Sequence, residues 1–373
     1  MDREIKSLDI GTMHLISASI SKDHKVRFKK LRNAFLRVQV EASMTQFLKN
    51  EEMQYAEIGR DLYALGESAF KTAGITAKPI SRPMQDGVLN PKEKRAEVIL
   101  KILIEALVGK AEGPGAICYY SVPAEPFQRE SRLVYHSEII HAILEGLGYR
   151  ATAVNEGLAV VYSGLSEQRF TGIGISCGCG LLNVCLSHKG QIIDAFSIDR
   201  AGDWIDDNAA KAIGELPHQI RSVKEGGVNL LAPQGRVENA VAIYYKDLIA
   251  HAVECLKARL AASGKLAVFK DPVSMVCAGG TALPSGFISL LRTAVRKARL
   301  PLKIDQVGLA KDPLYAIARG CLIGAVNNSG ISLGNSSSKT RRAACRPKKP
   351  VKSARSKRAP SRKAPLKRKK PHR

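Results

Sequence analysis

The chain has 373 residues, 45% hydrophobic and 25% charged, the balance of a soluble globular protein with room for two ordinary domains. No apolar run approaches the roughly 18 residues of a membrane span. The charged opening Met1-Asp2-Arg3-Glu4 lacks the apolar stretch of a signal peptide, so a cytoplasmic location is expected. The net charge of +24 is concentrated at one end: residues 331–373 hold 17 Lys and Arg and no Asp or Glu, leaving 41 basic against 34 acidic residues elsewhere. The eight cysteines form no C-x-x-C pair, which predicts free thiols; Cys177 and Cys179 lack partners for a metal.

Taken in order, the body alternates strand and helix signals and predicts an α/β protein. Strands are expected near Ile5–Ile10, His14–Ile20 and Val26–Phe35. A helix follows Pro91, with Val98, Ile102, Leu103 and Leu107 as its apolar positions. Ala116–Val122 reads as a buried strand. Glu130–Leu147 reads as a helix stopped by Gly148, and Ala153–Gly164 as a shorter apolar helix. The pattern then repeats. Thr171–Ser176, Leu181–Ser187 and Gln191–Ile198 read as three strands with a Lys189-Gly190 turn, and a helix follows Ala201-Gly202-Asp203. A long helix is predicted from Val237 to Ala262, with Val237, Val241, Tyr244, Leu248, Ala252 and Leu256 on one stripe. Val273–Cys277 is a strand, Gly279-Gly280 a turn and Pro284–Arg296 a helix. Two similar halves, each opening strand, glycine turn, strand, hairpin, strand, imply a duplicated domain with a cleft between the copies.

The two opening turns are Leu8-Asp9-Ile10-Gly11-Thr12 and Ser176-Cys177-Gly178-Cys179-Gly180. Glycine lets a backbone approach phosphate oxygens closely and aim N–H groups at them. Two facing turns of this kind suit a nucleoside polyphosphate. The stretch Gly178-x-Gly180 is not a dinucleotide fingerprint, because that motif must open a helix and a strand follows here. No P-loop, H-E-x-x-H or G-x-S-x-G motif is present.

Five segments in order resemble the nucleotide-cleft motifs of the actin-like ATPase superfamily. Leu8–Thr12 resembles the first phosphate loop and Asn155-Glu156-Gly157-Leu158-Ala159 the helix joining the two domains. Ile175–Gly180 resembles the second phosphate loop, Ala278-Gly279-Gly280-Thr281-Ala282-Leu283-Pro284 the adenosine loop, and Ala316-Ile317-Ala318-Arg319-Gly320 the second connecting helix. Arg82-Pro83-Met84-Gln85-Asp86-Gly87-Val88 is similar to a segment of bacterial actins of the MreB and magnetosome-filament kind. Ser222-Val223-Lys224-Glu225 is similar to the actin stretch that touches base and ribose. The resemblance covers about residues 5–326.

It implies a duplicated actin-like (ribonuclease H-like) fold. Residues 1–153 would form the first domain, with a small insertion at about 29–79. Residues 154–330 would form the second, with a subdomain at about 207–270 and a final helix at about 313–326 packing back on the first. It also implies ATP or ADP with Mg2+ as ligand. Asp9 would hold the metal through water, and Gly11, Thr12, Gly178, Cys179 and Gly180 would cradle phosphates. Glu156 would orient the attacking water. Lys224 and Glu225 would contact the nucleoside, and Gly279, Gly280, Thr281 and Leu283 would form the adenine wall. Asp203 reads as a helix cap rather than a ligand.

The second loop departs from the family's pattern. Ser176 stands where an Asp is usual, and Leu181-Leu182 replace hydroxyl residues. A weaker metal site and slow ATP hydrolysis are expected. The resemblance thus implies a bacterial actin-like filament protein, with self-association gated by nucleotide. The alternatives are a non-polymerising pseudo-ATPase scaffold and, with no acceptor motif to support it, a small-molecule kinase. Residues 331–373, rich in Pro, Lys and Arg, cannot bury enough apolar area to order themselves. Their charge suits DNA or another polyanion, with an anionic membrane surface as the alternative.

Overall fold

The computed structural model describes residues 4–329 except 22, 40, 41, 77 and 128–132. The basic segment 331–373 lies outside the described residues. The first half begins with strands β1 (Ile5–Ile10), β2 (His14–Ile20) and β3 (Val26–Arg32). An insertion follows: β4 (Phe35–Val38), α1 (Ala42–Asn50), β5 (Tyr55–Ile58), β6 (Asp61–Leu65) and α2 (Glu67–Thr76). The chain returns through the two-residue strands β7 (Met84–Gln85) and β8 (Val88–Leu89). Then come α3 (Ala96–Val108), β9 (Ile117–Val122), α4 (Leu133–Gly146) and β10 (Arg150–Asn155). The second half comprises α5 (Glu156–Gly164), β11 (Gly172–Cys177), β12 (Leu182–His188), β13 (Gln191–Ile198), α6 (Gly202–Ile213), α7 (Pro217–Gly227) and α8 (Gly235–Ala262). It ends with β14 (Val273–Ala278), α9 (Phe287–Ala298), β15 (Ile304–Leu309) and α10 (Ala316–Ser329).

The two main sheets repeat one topology. The first has the order β10-β9-β1-β2-β3 and the second β13-β12-β11-β14-β15. In each, the opening strand pairs antiparallel with the next and parallel with a later one. The opening strands are buried along nearly their whole length, β1 at every position but Lys6 and β11 at all six. The insertions differ: a three-stranded sheet, β4-β6-β5, in the first half and the helices α6–α8 in the second.

Two helices cross between the halves. Helix α5 follows the first sheet but packs on β11, β12 and β14, whereas α10 follows the second sheet but packs on β1, β9 and β2. They meet each other where Gly320 lies against the carbonyl of Ala159, an approach that a Cβ at Gly320 would block.

Three expected elements are corrected. The strand expected over Val26–Phe35 breaks after Arg32, because buried Asn33 bonds the first glycine turn instead, N–H to Met13 O and Nδ2 to Gly11 O. The helix expected from Ala153 begins at Glu156. Ala153–Asn155 continues a strand paired with β9, and the Asn155 side chain accepts from Leu158 N to cap the helix. The helix expected from Pro284 starts at Phe287, after Gly286 turns the chain at φ 90°. On α8, Val241, Leu248, Ala252 and Leu256 are buried as expected, but Tyr245 rather than Tyr244 fills the core.

Candidate functional site at the cleft between the halves

The turn after each opening strand closes the same way. Gly11 N–H donates to His14 O and Gly178 N–H to Leu181 O, both at 3.0 Å. A side chain at either glycine would press on that carbonyl. The register repeats as well: Asp9 faces Ile16 across β1–β2, and Ser176 faces Asn183 across β11–β12. The two turns abut at Gly180, where a Cβ would overlap the Thr12 hydroxyl, and that hydroxyl accepts from Gly87 N in the segment between β7 and β8.

Between the halves lies a cavity of about 680 Å³, within the range of small-molecule sites. Every site residue expected from sequence lines it. Asp9, Gly11 and Thr12 come from the first turn, and Ser176, Gly178, Cys179 and Gly180 from the second. Glu156 comes from the start of α5, Lys224 and Glu225 from α7, and Gly279, Gly280, Thr281 and Leu283 from the turn after β14. Thr281 donates to Gly178 O at 2.7 Å, tying the third loop to the second. Leu283 is half exposed at the rim.

Asp9 and Glu156 form the acidic floor. Burial, with Glu156 close by, pushes Asp9 up to about 8, against the hydrogen bond from Ser121 Oγ at 3.1 Å. Burial pushes Glu156 up to about 7, although two donors favour its charged form. These are Ser176 Oγ at 2.8 Å and Asn183 Nδ2 at 2.9 Å, both on Glu156 Oε2. Being cross-strand neighbours, Ser176 and Asn183 share the sheet face that carries α5. Asn183 Oδ1 also accepts from Ala124 N in the first half, at 2.8 Å. The Ser176 hydroxyl is thus committed to Glu156.

Both carboxylates tend toward the neutral form in the protein alone, and a nearby cation would return them to the charged form. Among the described residues no three His, Cys, Asp or Glu side chains gather as a metal cage. The donor set fits an ion held mainly by phosphate and water, as Mg2+ is.

The wall beside α7 is a charge network. Lys224 Nζ donates to Gly202 O at 2.7 Å and pairs with Asp206 at 2.5 Å. Arg221 pairs with Asp203 and Asp206, each at 3.1 Å. Asp203 is not a cap: Ala201 holds that position with no side-chain bond, and Asp203 instead pairs with Arg82 at 2.9 Å and accepts from Cys179 Sγ. Burial would raise the Asp203 carboxyl, but Arg82, Cys179 and Arg221 hold it below its ordinary range. Burial, followed by Asp203, pushes the Cys179 thiol up to about 12, so it is not a thiolate at neutral pH. Sequence reasoning missed Ser121, Asn183, Asp206, Arg221 and Arg32. They are ordinary polar or charged residues until the fold brings them together, and no helix was expected over the segment that carries Arg221.

The structure is similar to MamK in a double helical filament, with TM-score 0.66 and 20% identity over 87% of this chain and 99% of that one. It is also similar to MreB5 of Spiroplasma citri bound to ADP, with TM-score 0.61 and 16% identity over 88% and 97% of the two chains. The same protein bound to AMPPNP gives TM-score 0.62 at 15% identity. At these identities the likeness establishes the actin-like fold. No curated protein matches the chain in sequence. The Volactin family model matches residues 5–325. With the family model matching residues 5–325, the chain belongs to the Volactin family, and its paired turns and crossing helices are those of the actin-like fold.

Proposed function

We propose that the chain binds ATP and ADP with Mg2+ in this cavity and assembles into nucleotide-gated filaments in the cytoplasm. The observation that carries the reading is convergence: three glycine loops, two acids and Lys224-Glu225, scattered from residue 9 to residue 283, line one cavity. MreB5 bound to ADP and to AMPPNP and MamK as a filament support the ligand and the assembly. In this reading the domains divide at about residue 153, and 331–373 tethers the filament to DNA or another polyanion through charge.

The backbone amides of the two turns would hold the phosphates, and Asp9 is the residue that would hold the cation, through water. Bound Mg2+ would supply neutralisation of phosphate charge. Glu156, fixed through Oε2 by Ser176 and Asn183, presents its other oxygen as the acceptor that orients a water. The second loop adds no carboxylate, so hydrolysis is slow. The same observation favours a second reading, a non-polymerising nucleotide-sensing scaffold.

Sedimentation of the full chain separates the two. A pellet is expected with ATP and Mg2+ and a smaller one with ADP or no nucleotide. No polymer under any condition, with AMPPNP binding intact by calorimetry, would overturn the filament reading and leave the scaffold.

A further inference from the structure

Arg32 ends β3 in the first half and reaches across the cavity to α7 in the second. Its Nη1 and Nη2 each donate to one oxygen of Glu225, at 3.3 and 3.2 Å. The same guanidinium is held from behind. Its Nε donates to Glu67 Oε1 at 3.1 Å, and its carbon lies 5.3 Å from the Phe70 ring centroid. Glu67 and Phe70 belong to α2, in the insertion of the first half. One side chain therefore ties three elements together across the mouth of the cavity, and both Arg32 and Glu225 line it. A guanidinium fork already seated on an aromatic ring and a carboxylate loses little further freedom when it grips a second carboxylate. Burial would raise the Glu225 carboxyl, but Arg32 outweighs it and holds the group below its ordinary range.

We propose that Arg32 is a positioning and retention residue: it sets Glu225 against the ribose and forms a clasp that must part before nucleotide leaves. The proposal rests on the nucleotide reading above. The pair is partly exposed, at 20% for the Arg32 side chain and 43% for that of Glu225. It is a gate that salt loosens rather than a permanent lock. Glu67 acts one step further back, orienting Arg32 without lining the cavity.

Two measurements on the full chain test the clasp. The first is hydrogen–deuterium exchange without nucleotide, where Arg32→Ala should speed exchange in α7 and α2. The second is stopped-flow release of a fluorescent AMPPNP analogue. Arg32→Ala should speed release about two- to fivefold, and Glu67→Gln should do so by less. Release from the parent should accelerate with salt, while release from Arg32→Ala should respond much less. A merely structural role for Arg32 would not remove that salt dependence. Parental release rates and parental salt dependence in Arg32→Ala would overturn the proposal. If the parent binds no AMPPNP, the nucleotide reading falls and the exchange result decides the clasp alone: unchanged protection of α7 overturns it.

Discussion

Ser176 shows how a single residue changes meaning once its neighbours are known. Read along the chain, it is a missing carboxylate. In the fold, its hydroxyl fixes Glu156 together with Asn183. Ser176→Asp would set a second buried carboxylate against Glu156 with Asp9 nearby. Without nucleotide that should cost roughly 3 kcal/mol. Mg2+ with AMPPNP should recover more stability in the variant than in the parent, as read by thermal unfolding, and phosphate release with ATP should be faster than in the parent. A second residue sets a pH dependence. His136 on α4 is buried, and neither ring nitrogen has a hydrogen-bond partner among the described residues. Burial pushes it down from 6.5 to about 4. Between those values the unfolded chain binds more protons than the folded one. Stability from this group is full above about pH 6.5 and falls as pH drops toward 4, by at most roughly 3 kcal/mol. His136→Leu should flatten that stretch of the urea midpoint against pH.

At the scale of elements, the crossing of α5 and α10 sets how the halves meet. The approach at Gly320 leaves no room for a side chain, because a Cβ would overlap the Ala159 carbonyl. Gly320→Val should displace α10 from the first sheet and cost about 3 kcal/mol or more, seen as a lower midpoint in thermal unfolding. Gly320→Ala should fall between the variant and the parent. Helix α8 was legible because its apolar stripe matches its burial, and β11 and β14 because short, largely apolar runs bounded by glycine suit strands buried on both faces. The small insertion was not. Strands β5 and β6 are four and five residues long, too short for periodicity to show, and they are strands because β6 pairs with β4 on one side and β5 on the other. Helix α7 likewise escaped a helix assignment, although its Lys224-Glu225 drew notice. Only Ile220 is fully buried on it, so no apolar stripe marks it.

For the whole molecule, duplication is the organising fact, and charge is the part that breaks it. The 17 basic residues of 331–373 have no counterpart in the body. Deleting them should abolish salt-sensitive binding to duplex DNA, measured by anisotropy across a salt series, while leaving AMPPNP binding unchanged. Retained DNA binding after deletion would sink the tether. The sequence by itself determined the α/β class and the two opening glycine turns, and it singled out residues that line the cavity. Local backbone geometry dictates the turns, since a Cβ at Gly11 or Gly178 would press on the carbonyl that closes each one. Only the tertiary structure decided which groups act together. Ser176 and Asn183 meet Glu156 through strand register, and Arg32 meets Glu225 from 193 residues away. Such contacts depend on how two sheets and two crossing helices pack, and no run of neighbouring residues encodes them.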